Sequence, residues 1–209
     1  MKSVLPRIAF YLDRRDEVPN QELAAELARA DNRLGIREIA ENLSNKNPNV
    51  RADCLKVLYE VGYIRPELIA DHVEAILALL PEKNNRLAWG AMIALSTIAE
   101  LKSAAIGRHS EDIMRIMENG SVITVDNGVK TLAGIASKEP RLRKTLLSYL
   151  FDHLKSCRPK DVPQHSEKTL VALDRQSRAE FITILTSRLP ELSQGQAKRV
   201  RKVISSAGT

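Results

Sequence analysis

One spacing constrains this chain more than anything else in it. Ile39, Ile76, Ile113 and Leu150 stand 37 residues apart each time, and Leu43, Leu80, Met117 and Leu154 repeat the interval four residues further on. Apolar residues four apart share one helix face, so each pair marks a helical turn that recurs. A second helix recurs with the first, in the columns Leu55, Met92, Val129; Leu58, Leu95, Leu132; Val61, Ile98, Ile135; and the small column Gly62, Ala99, Ala136. A fixed period of this length belongs to stacked units, each of which exposes an apolar face that only its neighbours cover.

The period loosens toward the C-terminus. Lys130-Thr131-Leu132 is echoed by Lys168-Thr169-Leu170 with one residue inserted, and Leu185 and Leu189 follow Leu150 and Leu154 by only 35. The segment AKRVRKVISS closes the chain as a last helix. Start signals keep the same beat: Pro66 and Pro140 lie two periods apart at helix starts, where a missing N–H costs nothing. Asn47 and Asn49 precede one second helix, Asn84 and Asn85 the next, and each pair supplies an N-cap. Gly62, Gly107 and Gly120 are expected in the connecting turns.

Composition agrees with helices. The chain has 44% hydrophobic residues but only 4% aromatic and 9 glycines in 209, an aliphatic balance unlike that of a β-sandwich. The segment Asn49-Val50-Arg51-Ala52, with Leu55 and Leu58, resembles the second helix of a HEAT repeat, in which an Asp or Asn cap precedes Val-Arg and then small and leucine positions. The period carries that likeness over roughly residues 20 to 206. The expected fold is all-α, a right-handed α-α superhelix of the HEAT/armadillo-like kind, with about five helix pairs. It forms one domain over residues 1–209, with 1–20 as N-terminal capping segment and 193–209 as C-terminal capping helix and tail.

The resemblance implies that the second helices line a concave binding face. Aligned on the period, their outward columns contain Asp53, Lys56, Trp89, Asp126, Asn127, Lys130, His165 and Lys168, which are the candidate binding residues. Asp126, Asn127, Lys130, His165 and Lys168 are expected to converge across two adjacent repeats. Trp89, the single tryptophan, reads as an anchor in a groove or as filler beside Ala88, Gly90, Ala91 and Ala94.

Charge is unevenly placed. Residues 1–140 carry eighteen Lys/Arg and twenty Asp/Glu, whereas the last 69 carry fourteen and six. Arg141, Arg143, Lys144, Lys155, Arg158, Lys198, Arg199, Arg201 and Lys202 form the basic candidates, either for phosphate backbones or as the polar outer face of a terminal repeat. Cys54 and Cys157 lie outside any CxxC pattern, and no HExxH accompanies His72, His109, His153 or His165, so neither metal nor cofactor is expected. No GxSxG, Walker or GxGxxG pattern occurs, which weighs against the common enzyme classes.

The function this supports is a non-catalytic scaffold that holds a protein or peptide partner on the concave face. The alternative is a nucleic-acid protein using the basic C-terminal third, resembling the HEAT-like DNA alkylation repair glycosylases. No apolar run reaches the roughly 18 residues of a membrane helix, and a cytoplasmic protein without a membrane partner is expected. The N-terminal stretch SVLPRIAFYL is either a cap or a contact for a second chain.

Overall fold

The structure is a computed structural model that describes residues 2–208. It is 78% helical with no strands among the described residues. The described residues form twelve α-helices in chain order: α1 (Val18–Arg29), α2 (Arg33–Glu41), α3 (Pro48–Ile64), α4 (Val73–Leu77), α5 (Asn85–Ile98), α6 (Ser103–Gly107), α7 (Ser110–Glu118), α8 (Val122–Lys138), α9 (Pro140–Ser156), α10 (Val162–Thr169), α11 (Arg178–Arg188) and α12 (Gln194–Gly208). Short 3-10 turns extend several of them, as at Pro66–Leu68 and Ala70–His72 before α4.

The helices sort into two layers. The second helices of the repeat pack side by side in sequence, α1 on α3, α3 on α5, α5 on α8, then α8, α10 and α12 in turn. The first helices, α2, α4, α6 with α7, α9 and α11, lie on the other side and meet one another much more sparingly. The closely packed layer therefore follows the shorter, inner arc. The aliphatic columns of the regular 37-residue period are buried between the layers, with Ile39, Ile76, Ile113 and Leu150 wholly so, whereas Leu170 and Leu189 in the looser C-terminal units are partly buried.

The caps follow the sequence. Asn47 Oδ1 accepts from the Asn49 N–H at 2.9 Å and Asn84 Oδ1 from the Arg86 N–H at 3.0 Å, opening α3 and α5. Asn49 and Asn85 sit inside the first turns. Replacing Asn47 by Ala is expected to cost about 1 kcal/mol; a urea-unfolding midpoint unchanged from that of the parent chain would contradict a capping role. Arg51, the arginine of the Val-Arg pair, donates from Nε to the Leu43 carbonyl at 2.9 Å and pairs with Glu82 at 2.5 Å, so it ties the end of one helix to the next unit.

One glycine expectation is corrected. Gly62 lies inside α3, and Gly107 is the last residue of α6, so only Gly120 is in a connecting turn. A Cβ at Gly62 would collide with the Thr97 hydroxyl of α5, and one at Gly90 would meet Leu55 Cδ2 of α3 at 2.8 Å. These glycines let inner-layer helices approach closely, which a turn reading of Gly62 overlooks.

Candidate functional site

The inner layer carries its chemistry where α8 meets α10. Asp126 and Asn127 stand one turn into α8, after the Ser121 N-cap, and Lys130 follows four residues beyond Asp126. On α10, His165 and Lys168 are three apart and so share a face. The structure brings these residues together as the period implies. His165 Nε2 lies 2.7 Å from Asp126 Oδ1, and Lys168 Nζ donates to the Asp126 carbonyl oxygen at 2.7 Å. Asn127 Nδ2 donates to the Ile123 carbonyl at 2.9 Å, while its Oδ1 accepts from Ser96 of α5 at 3.1 Å.

Among the described residues neither Lys130 nor Lys168 makes an ion pair, and both stand close enough to repel one another. Desolvation lowers the Lys130 ammonium below the ordinary lysine range despite the pull of Glu100. Desolvation also lowers Lys168, against the pull of Asp126, and the like charge of Lys130 adds to it. Two partly desolvated cations side by side are a place where an incoming anionic group is favoured.

Three of the candidate binding residues are not free surface. Asp53 is 7% exposed because its Oδ2 accepts the Phe10 N–H at 2.7 Å, anchoring the N-terminal segment. Lys56, also 7% exposed, pairs with Glu17 at 2.8 Å and Glu60 at 2.7 Å, and its ammonium stands 4.8 Å from the centre of the Tyr59 ring. Burial pulls the Lys56 ammonium down, but hydrogen bonds to Glu17 and Glu60 outweigh it and raise it overall. His165 is 1% exposed. The outward columns fail here because partners from other segments close over them, which a helical projection does not contain.

Trp89 is half-buried, with its ring 6.5 Å from that of Tyr59. It also lines a cavity of about 450 Å³ between α5 and the start of α8, together with Leu80, Pro81, Ile116 and Thr124. It therefore packs on one side and faces a groove on the other. Tyr59, which sequence reasoning missed, joins Lys56 and Trp89 on this side of the layer.

Several of the basic candidates already have partners. Arg143 is spent on the Ala136 and Ser137 carbonyls at 2.9 and 3.1 Å, capping α8. Lys155 pairs with Asp152, Arg158 with Asp161, and Arg199 with Glu167. Arg141 and Lys144 are exposed on α9, while Lys198, Arg201 and Lys202 are exposed on α12, which packs on α10 and α11.

Beside the α8–α10 contact, the structure assembles a group that the sequence reading set aside. His153 and Cys157 lie four apart at the end of α9, and His165 reaches them from α10. One donor atom from each of the three lies within 4.8 Å of the others, and His153 Nε2 is 2.9 Å from His165 Nδ1. Burial, and then the neighbouring His165, push the His153 imidazole down to about 4. The absence of CxxC and HExxH patterns leads to no expected ligand set, yet the fold brings three donors together here. The signal was present as His-x3-Cys on one helix face, though the third donor arrives only through folding.

No family model and no curated protein matches the chain. Solved structures do. An engineered protein superposes with a TM-score of 0.67 at 18% identity, covering 99% of this chain and 98% of its own. A designed armadillo repeat protein in complex with the peptide (KR)4 gives 0.67 at 14% identity, covering 99% and 100%. Computationally designed armadillo repeat proteins for modular peptide recognition give 0.66 at 15%, covering 89% and 86%. By fold, the chain is an armadillo/HEAT-like α-solenoid along nearly its whole length.

Proposed function

We propose that the chain is a non-catalytic scaffold that binds a partner protein through an extended segment laid across the inner layer of second helices. The observation that carries this reading is the pair Lys130 and Lys168, neighbours on α8 and α10, both pulled below the ordinary lysine range and neither in an ion pair among the described residues. A packing role does not call for two cations side by side, and an acidic side chain on a bound segment would neutralise both. The half-buried Trp89 offers an apolar face one helix earlier. The fold supports the reading, because peptide recognition is what the designed armadillo proteins of the same shape are made for.

The test is capture from lysate with the intact chain as bait, after nuclease treatment, compared with the double variant Lys130→Ala/Lys168→Ala. The captured partner is expected to fall at least about tenfold, the loss that one good charge-assisted contact supplies. The thermal midpoint should stay close to that of the parent chain. A double variant that loses stability and keeps its partner would make the two lysines structural. Bait whose bound material disappears with nuclease would instead favour nucleic acid.

A further inference from the structure

The repeat departs from its own period around His153, Cys157 and His165. The second helices α3, α5 and α8 begin at Pro48, Asn85 and Val122, a 37-residue beat that would start the next at 159, yet α10 begins at Val162. The extra turn, Cys157 to Asp161, closes over the group. Counting back 37 from His153 gives Ile116, and 37 more gives Leu79, so an imidazole stands where earlier units place aliphatic side chains. Packing alone would be met by another aliphatic residue; a half-buried imidazole against a buried one calls for a different reason.

We propose that His153, Cys157 and His165 bind a zinc-class divalent cation, that Asp126 orients His165 from outside, and that water or Asp161 completes the fourth position. The distances fit with little rearrangement. Tetrahedral zinc with bonds of about 2.0–2.3 Å needs donors about 3.3–3.8 Å apart, and the three donors already fall within 4.8 Å of one another. His165 Nε2 faces Asp126 Oδ1 at 2.7 Å, so the N–H stands there and the Nδ1 lone pair is turned toward His153. That carboxylate–histidine arrangement is the outer shell that fixes the tautomer of metal-bound imidazoles. Two imidazoles and a thiolate suit zinc, whereas magnesium and calcium prefer oxygen.

Access and charge are consistent. A cavity of about 300 Å³, lined by Gly120, Ser156, Arg158 and Asp161 among others, opens onto His153, Cys157 and His165. Metal binding would replace the hydrogen bond between the two imidazoles and release one proton, from the Cys157 thiol, while His153 shifts its own N–H to the other ring nitrogen. The thiolate and the Asp126 carboxylate set two negative charges against the cation's two positive ones, while Asp161 carries Arg158 as its own counter-ion. Burial raises the Cys157 thiol, so without a cation it stays protonated and is not an activated nucleophile.

The test uses the intact chain, freed of metal by a chelator and kept reduced. It is titrated with zinc chloride against a chromophoric chelator, and separately with cobalt(II). One equivalent of zinc is expected to bind with submicromolar affinity, and the cobalt form should show the visible bands of a tetrahedral site with a near-ultraviolet cobalt–thiolate band. Cys157→Ala should lose that band and weaken zinc at least about tenfold, whereas Cys54→Ala should keep both. Asp126→Asn should weaken zinc by about 10–100-fold while keeping the thiolate band; it guards against a Cys157 variant that misfolds. No uptake by the parent chain would overturn the proposal, as would a cobalt form without the thiolate band or zinc binding unchanged in Cys157→Ala. The outcome is independent of which partner the inner layer binds.

Discussion

Replacing Leu132 with Ala is expected to lower the unfolding free energy by about 2–5 kcal/mol. Leu132 is fully buried on α8, the helix that packs against α5, α7, α9 and α10 at the middle of the stack. Truncation removes the apolar contacts of three side-chain carbons and leaves a cavity that two rigid layers cannot close. In a solenoid each unit is held chiefly by its neighbours, so a gap at α8 weakens the interfaces on both sides. Urea unfolding followed by circular dichroism measures it; a loss below about 0.5 kcal/mol, typical of surface positions, would contradict the assigned core.

Arg188→Ala is the second large effect. Arg188 is 5% exposed, and its guanidinium reaches back from α11 to the end of α9, donating from Nη1 to the Leu154 carbonyl and from Nη2 to the Cys157 carbonyl, each at 2.6 Å. Those carbonyls belong to a helix terminus that has no further N–H to satisfy them. Glu191, 3.0 Å from Nε, completes the neutralisation. Alanine would leave the Cys157 carbonyl without its partner and the Leu154 carbonyl with only the weak Cys157 thiol contact at 3.9 Å, at an expected cost of about 3 kcal/mol. Arg188→Lys should recover only part of it, because an ammonium lacks the fork that spans two acceptors. Equal unfolding midpoints for the alanine variant and the parent chain would show that water satisfies the carbonyls.

What was legible in the sequence was what repeats. The columns through Ile39, Leu58 and Leu132 recur because every unit must bury the same face, and the Asn47 and Asn84 caps recur because every inner helix must begin. Contacts between distant segments were not legible. Lys56 looks exposed on a helical projection, yet Glu17, nearly forty residues earlier, folds over it, and Asp53 receives the backbone of Phe10. Gly62 read as a turn residue although its own column, with Ala99 and Ala136, already marked a small position between helices. The joining of Asp126 to His165 followed from the period, since both sit in outward columns of successive inner helices. The approach of His153 and Cys157 to the same imidazole did not, because it depends on the extra turn before α10.

The inner-layer claim is tested most directly by photo-crosslinking in lysate, with a photoreactive amino acid placed singly at position 130 or 168 on the inner helices, or at position 115 or 144 on the outer ones. Arg115 and Lys144 are exposed on α7 and α9 and serve as the opposite face. A partner joined covalently from positions 130 and 168, and not from 115 or 144, is the predicted result. The same partner captured from 115 and 144 alone would place binding on the outer layer and contradict the account.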